Sequence, residues 1–332
     1  MCLKQILAGA LIVYGSARAA EPPGYYDAAQ GKTGAELRAA LHAIIRNHHS
    51  LPYSGSSHPN TADAIRDLDQ DPANTNNVLC IYSRYSIVKT NIGSTAGTWD
   101  REHRWCNSYG LNSVRPSYTD IHNLCAEEAI VNTTRNNNFY DVSNPLASGY
   151  RIYTNAAAGV TWSKTSLTWE PPDLTKGDVA RAIIYMAVRY TGDVTNEPHL
   201  LLTDATNLIV SGSTYMGRFT TLLKWHFQDP VGPEERLRND IAYSYQTNRN
   251  PFIDHPEWVA AAFVPPLTIT SSGQTVTLSW TNDYTPSLVL EGTAAPSSAW
   301  TQITNTPGIV GNSYSVTLPL ESGAHFYRLR LN

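Results

Sequence analysis

Cysteine is scarce in this chain: four residues in 332, at positions 2, 80, 106 and 125. A fold stapled together by many disulfides is thereby excluded. At this length none is needed, because 332 residues exceed the usual size of one hydrophobic core and suggest a large domain with a smaller one. Charge is also sparse, 16% of residues, and has no basic excess, with 24 Lys and Arg against 28 Asp and Glu. Binding a polyanion through overall charge is therefore excluded, and any nucleic-acid role needs a local basic site or a bound cation. Long hydrophobic runs are missing too. The apolar stretch Ile6 to Tyr14 is too short to span a bilayer comfortably; it follows Lys4 and precedes Ala17-Arg18-Ala19, a small-x-small cleavage pattern. Residues 1–19 read as an export signal removed near Ala19, which predicts a secreted or periplasmic protein without a membrane span. Cys2 precedes the apolar run and so is no lipid-attachment site. Loss of Lys4 and Arg18 with the signal leaves 22 basic against 28 acidic residues, a net of −6. The three remaining cysteines allow at most one internal disulfide, with one thiol left over.

Between about Tyr25 and Tyr245 the apolar residues fall mainly at helical spacing, interrupted by Asn/Ser/Gly-rich loops. Leu37, Leu41 and Ile44 share one face of an amphipathic helix, and Gly177 to Val188 is apolar nearly all round, as a buried central helix would be. Arg181 is odd in that company; it either pairs with a carboxylate or reaches a substrate cleft. Gly232-Pro233-Glu234-Glu235 opens a further helix to about Gln246, with proline and acids in its first turn, and Asn248 to His255 reads as a loop that clamps the core. After Val264-Pro265-Pro266 the texture changes. Val276/Leu278/Trp280, Leu288/Leu290, Tyr314/Val316/Leu318 and Tyr327/Leu329/Leu331 alternate at period two, which predicts a small all-β module. The expected organisation is an α+β fold: a mostly helical domain over residues 20–263 and a sandwich of the fibronectin type III kind over 264–332.

Polar residues concentrate between Trp99 and Asp141. Trp99-Asp100-Arg101-Glu102-His103-Arg104-Trp105-Cys106 and Asp120-Ile121-His122-Asn123-Leu124-Cys125 each carry a histidine with a cysteine three positions on. Two such pairs satisfy a zinc count of four: His103, Cys106, His122 and Cys125. The alternative looks outward to a hairpin followed by a helix from about Ala126 to Asn136. Glu102 and Asn132 would then offer oxygen ligands to a Mg²⁺-type ion, and His103, ordinarily near neutral in pKa, would take a proton from water. Arg135 or Arg115 could hold a phosphate oxygen. Glu127 and Glu128 read as a solvated helix face, and His122 alone as a hydrogen-bonded structural histidine.

The chain resembles the endonuclease I family of His-Me finger (ββα-metal) nucleases, in particular its exported bacterial deoxyribonucleases and ribonucleases. The resemblance rests on Trp99-Asp100-Arg101-Glu102-His103, Tyr118-Thr119-Asp120-Ile121-His122-Asn123-Leu124 and Val131-Asn132-Thr133-Thr134-Arg135-Asn136. It extends through Trp169-Glu170-Pro171, Lys176 to Arg181, Leu223-Lys224-Trp225-His226 and Asn248 to Glu257, over roughly residues 24–260. It implies a ββα-metal site with His103 as general base, Glu102 and Asn132 as ligands of Mg²⁺ (Mn²⁺ or Ca²⁺ in its place), and Asp120, His122 and Asn123 orienting them. Arg135 falls on the family's arginine after the metal-binding asparagine, and Arg115 is the candidate to hold the product phosphate. The implied reaction is hydrolysis of DNA and/or RNA with little sequence specificity, leaving 5′-phosphate ends, with no obligate protein partner. The chain departs from the family where a proline usually stands, at Cys106, and again at Cys125. These two could form a disulfide across the site if their Cα atoms come within about 7 Å. A catalytically inactive nucleic-acid or surface-binding protein, or a zinc-stabilised one, is the competing class.

Overall fold

A computed structural model describes residues 21–114, 116–281 and 287–332. The expected export signal lies outside the described residues. The fold is α+β, as expected.

The core of the larger part is built on the helix Lys176–Arg189, whose residues are buried without interruption from Val179 onward. Helices Gly34–Ile45, Phe219–Gln228 and Glu257–Phe263 complete the packing; the first buries Leu37 and Leu41 as its spacing predicts, with Ile45 fully buried and the expected Ile44 only partly so. Each large aliphatic side chain so enclosed contributes about 1.5–3 kcal/mol. Arg181 pairs with a carboxylate: Nε and Nη2 donate to Oε1 and Oε2 of Glu235 at 2.7 and 2.6 Å. The helix Pro233–Gln246 begins on proline and ends where Thr247 turns left-handed at φ 63°. Beyond it Asn248, Arg249 and Asn250 are buried, and the Asn248 amide donates to Ile45 O and to Tyr185 Oη, tying two helices together.

The expectation of a mostly helical domain is corrected by four sheets among the described residues before position 264. They comprise Gln70–Asp71 with Asn74–Leu79 and Ser86–Val88; the hairpin Trp99–His103 with Leu124–Glu128; Phe139–Tyr140, Thr168–Glu170, Val160–Lys164 and Arg151–Asn155 in that order; and the parallel pair Leu201–Thr203 and Tyr215–Arg218. These strands are short, and several are polar on both faces, as in Asn74-Thr75-Asn76-Asn77. Too few residues alternate for the period-two signal to show.

The C-terminal module has two antiparallel sheets. One orders Thr268–Ser272, Thr275–Thr281, Ser313–Pro319 and Gly308–Val310; the other orders Thr301–Gln302, Leu288–Thr293 and Phe326–Leu331. Val276, Leu278, Trp280 and Val316 from the first pack against Leu290 from the second, with Leu288 and Leu329 at the margin. The module touches the larger core through Leu331, and Ser287 N donates to Asp204 Oδ2 at 2.8 Å and to Thr220 Oγ1 at 2.7 Å.

Candidate active site

Trp99–His103 and Leu124–Glu128 pair antiparallel, with Glu102 opposite Cys125 and His103 opposite Leu124. The helix Ala129–Arg135 starts where the second strand stops, so the hairpin leads directly into a helix. Glu128 makes the junction: its Oε2 accepts from Ile130 N and Val131 N, both at 2.9 Å, and a carboxylate there complements the helix dipole. This corrects the reading of Glu127 and Glu128 as a solvated helix face. Both end the strand and are buried, at 0% and 6% exposure. Glu127 accepts from Tyr82 N at 2.6 Å and from Ser83 Oγ at 2.6 Å, and burial pushes its carboxyl up to about 7 against those bonds.

Strand alternation sends Glu102 and His103 to opposite faces of the hairpin. On its face Glu102 is 2% exposed and its Oε1 accepts from Tyr82 Oη at 2.8 Å and from Arg135 Nη1. Arg135 also donates from Nη1 to His103 O and from Nη2 to Arg104 O, each at 2.8 Å. Its guanidinium lies 4.5 Å from the Tyr140 ring centroid, and the Tyr140 hydroxyl meets that of Tyr82 at 2.7 Å. Burial pushes the Glu102 carboxyl up, opposed first by the charge of Arg135 and then by the Tyr82 hydroxyl. At 1% exposure Arg135 braces Glu102 and His103 of the site strand and Arg104 just beyond it from inside.

His103 is half-buried on the other face. Its ring stacks on Tyr118 at 4.6 Å and 24° and lies near-parallel to Tyr53 at 5.9 Å and 19°. Arg101, two residues earlier and therefore on the same face, covers Tyr53 at 3.8 Å and donates to the Tyr53 carbonyl. Nε2 of His103 lies 2.9 Å from Tyr118 O. A carbonyl only accepts, so Nε2 carries the proton and neutral His103 presents an unprotonated Nδ1. Burial pulls the imidazole down to about 4, with Arg101 and Arg135 acting in the same direction and the Tyr118 carbonyl against it. At neutral pH the ring is uncharged and the Nδ1 lone pair is free to accept a proton.

Asn132 lies against the site strand, its Nδ2 3.4 Å from Arg101 O. Neither its Oδ1 nor Oε2 of Glu102 accepts a hydrogen bond from a described residue. Two hard oxygen donors with no nitrogen or sulfur suit a Mg²⁺-type ion that keeps most of its waters, so the residues fit the expected cation.

The zinc alternative does not form: no group of three or more His, Cys, Asp or Glu among the described residues could hold a metal. His122 bonds through Nε2 to Asn248 O at 3.2 Å and packs on Tyr185, away from that role. The disulfide is also corrected. Cys80, Cys106 and Cys125 are all free and buried. The register places Glu102, not Cys106, opposite Cys125, which leaves Cys106 beyond the strand end after Arg104-Trp105. Cys106 Sγ points to Asn136 O and Cys125 Sγ to Glu102 O, each at 3.8 Å. Asn123 clamps Trp105 by both backbone groups, accepting from N at 2.6 Å and donating to O at 3.1 Å. Asp120 is fully buried and gathers Tyr185 Oη, Tyr190 Oη, Gln246 Nε2 and His122 N. Arg115 lies outside the described residues. Tyr82, Tyr140, Tyr53 and Tyr118 had no part in the expected site; only Arg101, at i−2 from His103, had a local signal.

The chain belongs to the endonuclease I family, whose model matches residues 33–257 and so spans this hairpin and helix. The chain is similar to an extracellular ribonuclease of Bacillus amyloliquefaciens, 44% identical over 237 residues that cover 70% of this chain and 76% of that protein. It is equally similar, over the same shares, to an extracellular ribonuclease of Bacillus subtilis (strain 168). No solved structure matches the chain. The family match ends before the C-terminal β module, so it gives the fibronectin type III assignment no support.

Proposed function

We propose that the protein is an exported endonuclease that hydrolyses RNA by water attack and therefore also accepts DNA. The RNA preference and the export rest on the two extracellular ribonucleases it is similar to. The chemistry rests on one observation, the proton of His103 held at Nε2 by Tyr118 O, which leaves Nδ1 to accept a proton. In this reading Nδ1 takes a proton from water as its oxygen bonds to phosphorus. The bond from phosphorus to the 3′-oxygen breaks, that oxygen takes a proton from solvent water and His103 returns its own to solvent, giving a 5′-phosphate and a 3′-hydroxyl.

Glu102 and Asn132 would hold a divalent cation, which supplies positive charge for the departing oxygen. Arg135 acts as a positioning residue, because its Nη groups are engaged with the strand, and Asn123 and Asp120 hold the loop behind His103. Nothing in the arrangement reads base edges, so cleavage is weakly sequence-specific.

The 2′-hydroxyl has no part in this reaction, which makes it testable. RNA and its 2′-O-methyl counterpart should both be cut with Mg²⁺ present, leaving 5′-phosphate ends, and EDTA should stop both. Resistance of the 2′-O-methyl strand together with 2′,3′-cyclic phosphate products would overturn the reading.

A further inference from the structure

We infer that Tyr82 and Tyr140 are positioning residues that keep one oxygen of Glu102 available to a divalent cation; the inference rests on the metal-dependent reading above. Four side chains close a ring behind the site: Glu102, Tyr82, Tyr140 and Arg135, all at most 2% exposed and drawn from four separate stretches of the chain. Tyr82 Oη donates to Oε1 of Glu102 at 2.8 Å and meets Tyr140 Oη at 2.7 Å, the Tyr140 ring carries the Arg135 guanidinium at 4.5 Å, and Arg135 Nη1 returns to the same Oε1. Since Tyr82 gives its proton to the carboxylate, Tyr140 must give its own to Tyr82, and the direction of the chain is fixed. Both donors converge on Oε1 and leave Oε2.

The choice of oxygen matters because Arg135 competes for it. A carboxylate beside a guanidinium tends to be gripped at both oxygens, and the terminal carboxylate torsion is broad enough to allow it. Arg135 Nε is buried without a partner among the described residues, so the guanidinium has an unmet donor. The Tyr82 hydroxyl opposes that rotation by holding Oε1 from a second direction. Glu127 in turn fixes Tyr82, accepting its backbone N–H at 2.6 Å. Removing the hydroxyl frees the carboxylate to turn both oxygens to Arg135.

The isosteric variants Tyr82→Phe and Tyr140→Phe test this, with Glu102→Gln as the control for the site itself. Mn²⁺ and Mg²⁺ are titrated calorimetrically into metal-free protein, cleavage is followed against metal concentration, and thermal melts report the fold. Tyr82→Phe should bind the ion roughly 10-fold more weakly, the low end of what outer partners of metal ligands cost, and Tyr140→Phe about 3-fold more weakly. Raising the metal concentration should recover the lost rate in both. Unchanged affinity in folded Tyr82→Phe, or a rate deficit that saturating metal leaves in place, overturns the inference. Should Tyr82→Phe fail to fold, Tyr140→Phe decides alone, and unchanged affinity there overturns it. Wild type that binds metal as Glu102→Gln does, or that cleaves in EDTA, removes the metal-dependent reading and this inference with it; metal binding lost in Glu102→Gln but intact in both tyrosine variants removes the inference alone.

Discussion

The two faces of the site hairpin are built to opposite specifications. Behind Glu102 the face is sealed: Tyr82, Tyr140, Arg135 and Glu127 are buried and bonded to one another or to backbone. Around His103 it is half-open, and the imidazole is held by stacking and a single carbonyl. Burying a guanidinium and two carboxylates costs several kcal/mol of desolvation, which their bonds only offset. The sealed face therefore bears on stability and geometry, and the half-open face leaves His103 within reach of solvent.

The sharpest way to break that contrast is His103→Ala. Cleavage should fall by about 10²–10⁴-fold, the usual worth of a positioned general base, with the melting temperature nearly unchanged; a large drop in melting temperature would mean that the open face is structural. Arg135→Ala should do the reverse. It leaves Glu102 buried without its partner, so urea unfolding should show a loss of about 3–5 kcal/mol, and a loss under 1 kcal/mol would show that the face is not sealed in solution.

Glu127 sharpens the comparison through pH. Its folded value of about 7 lies above the ordinary 4.5, so the native state keeps a proton that the unfolded chain releases. The contribution is full below pH 4.5 and is lost as pH rises through 7, roughly 2–3 kcal/mol over that window. Stability measured at pH 4.5 and 7.5 should decline less in Glu127→Gln than in wild type; an equal decline would assign the slope to other groups. The smallest effect is expected at Glu128, where alanine removes a helix cap and should cost about 1 kcal/mol in the same urea assay.

The helices Gly34–Ile45 and Pro233–Gln246, and the hairpin and helix that carry Glu102-His103 and Asn132, could be read from local sequence, because each depends on spacing, a cap or a run of residues. The tyrosine ring could not. Tyr82 and Tyr140 stand 20 and 38 residues from Glu102 in opposite directions, and no local pattern marks them. Ala126 to Arg135 is rich in helix formers, which places Glu127 and Glu128 in the helix by propensity; pairing with Asp100 and Trp99 overrides it. The matched H-x-x-C spacing suggested matched positions, yet the register joins His103 to Leu124 rather than to His122. In an antiparallel pair equal spacings run in opposite directions, and Cys106 lies four residues beyond Glu102, the partner of Cys125.

Those unpaired thiols have a practical consequence. Cys80, Cys106 and Cys125 are at most 4% exposed, and burial pushes all three upward, Cys106 to about 11. The thiolate is the reactive form, so the native molecule should be almost inert to alkylating reagents. Labelling of the chain would then count opening events, which makes three sulfurs with no part in the chemistry a built-in clock for how often the core comes apart.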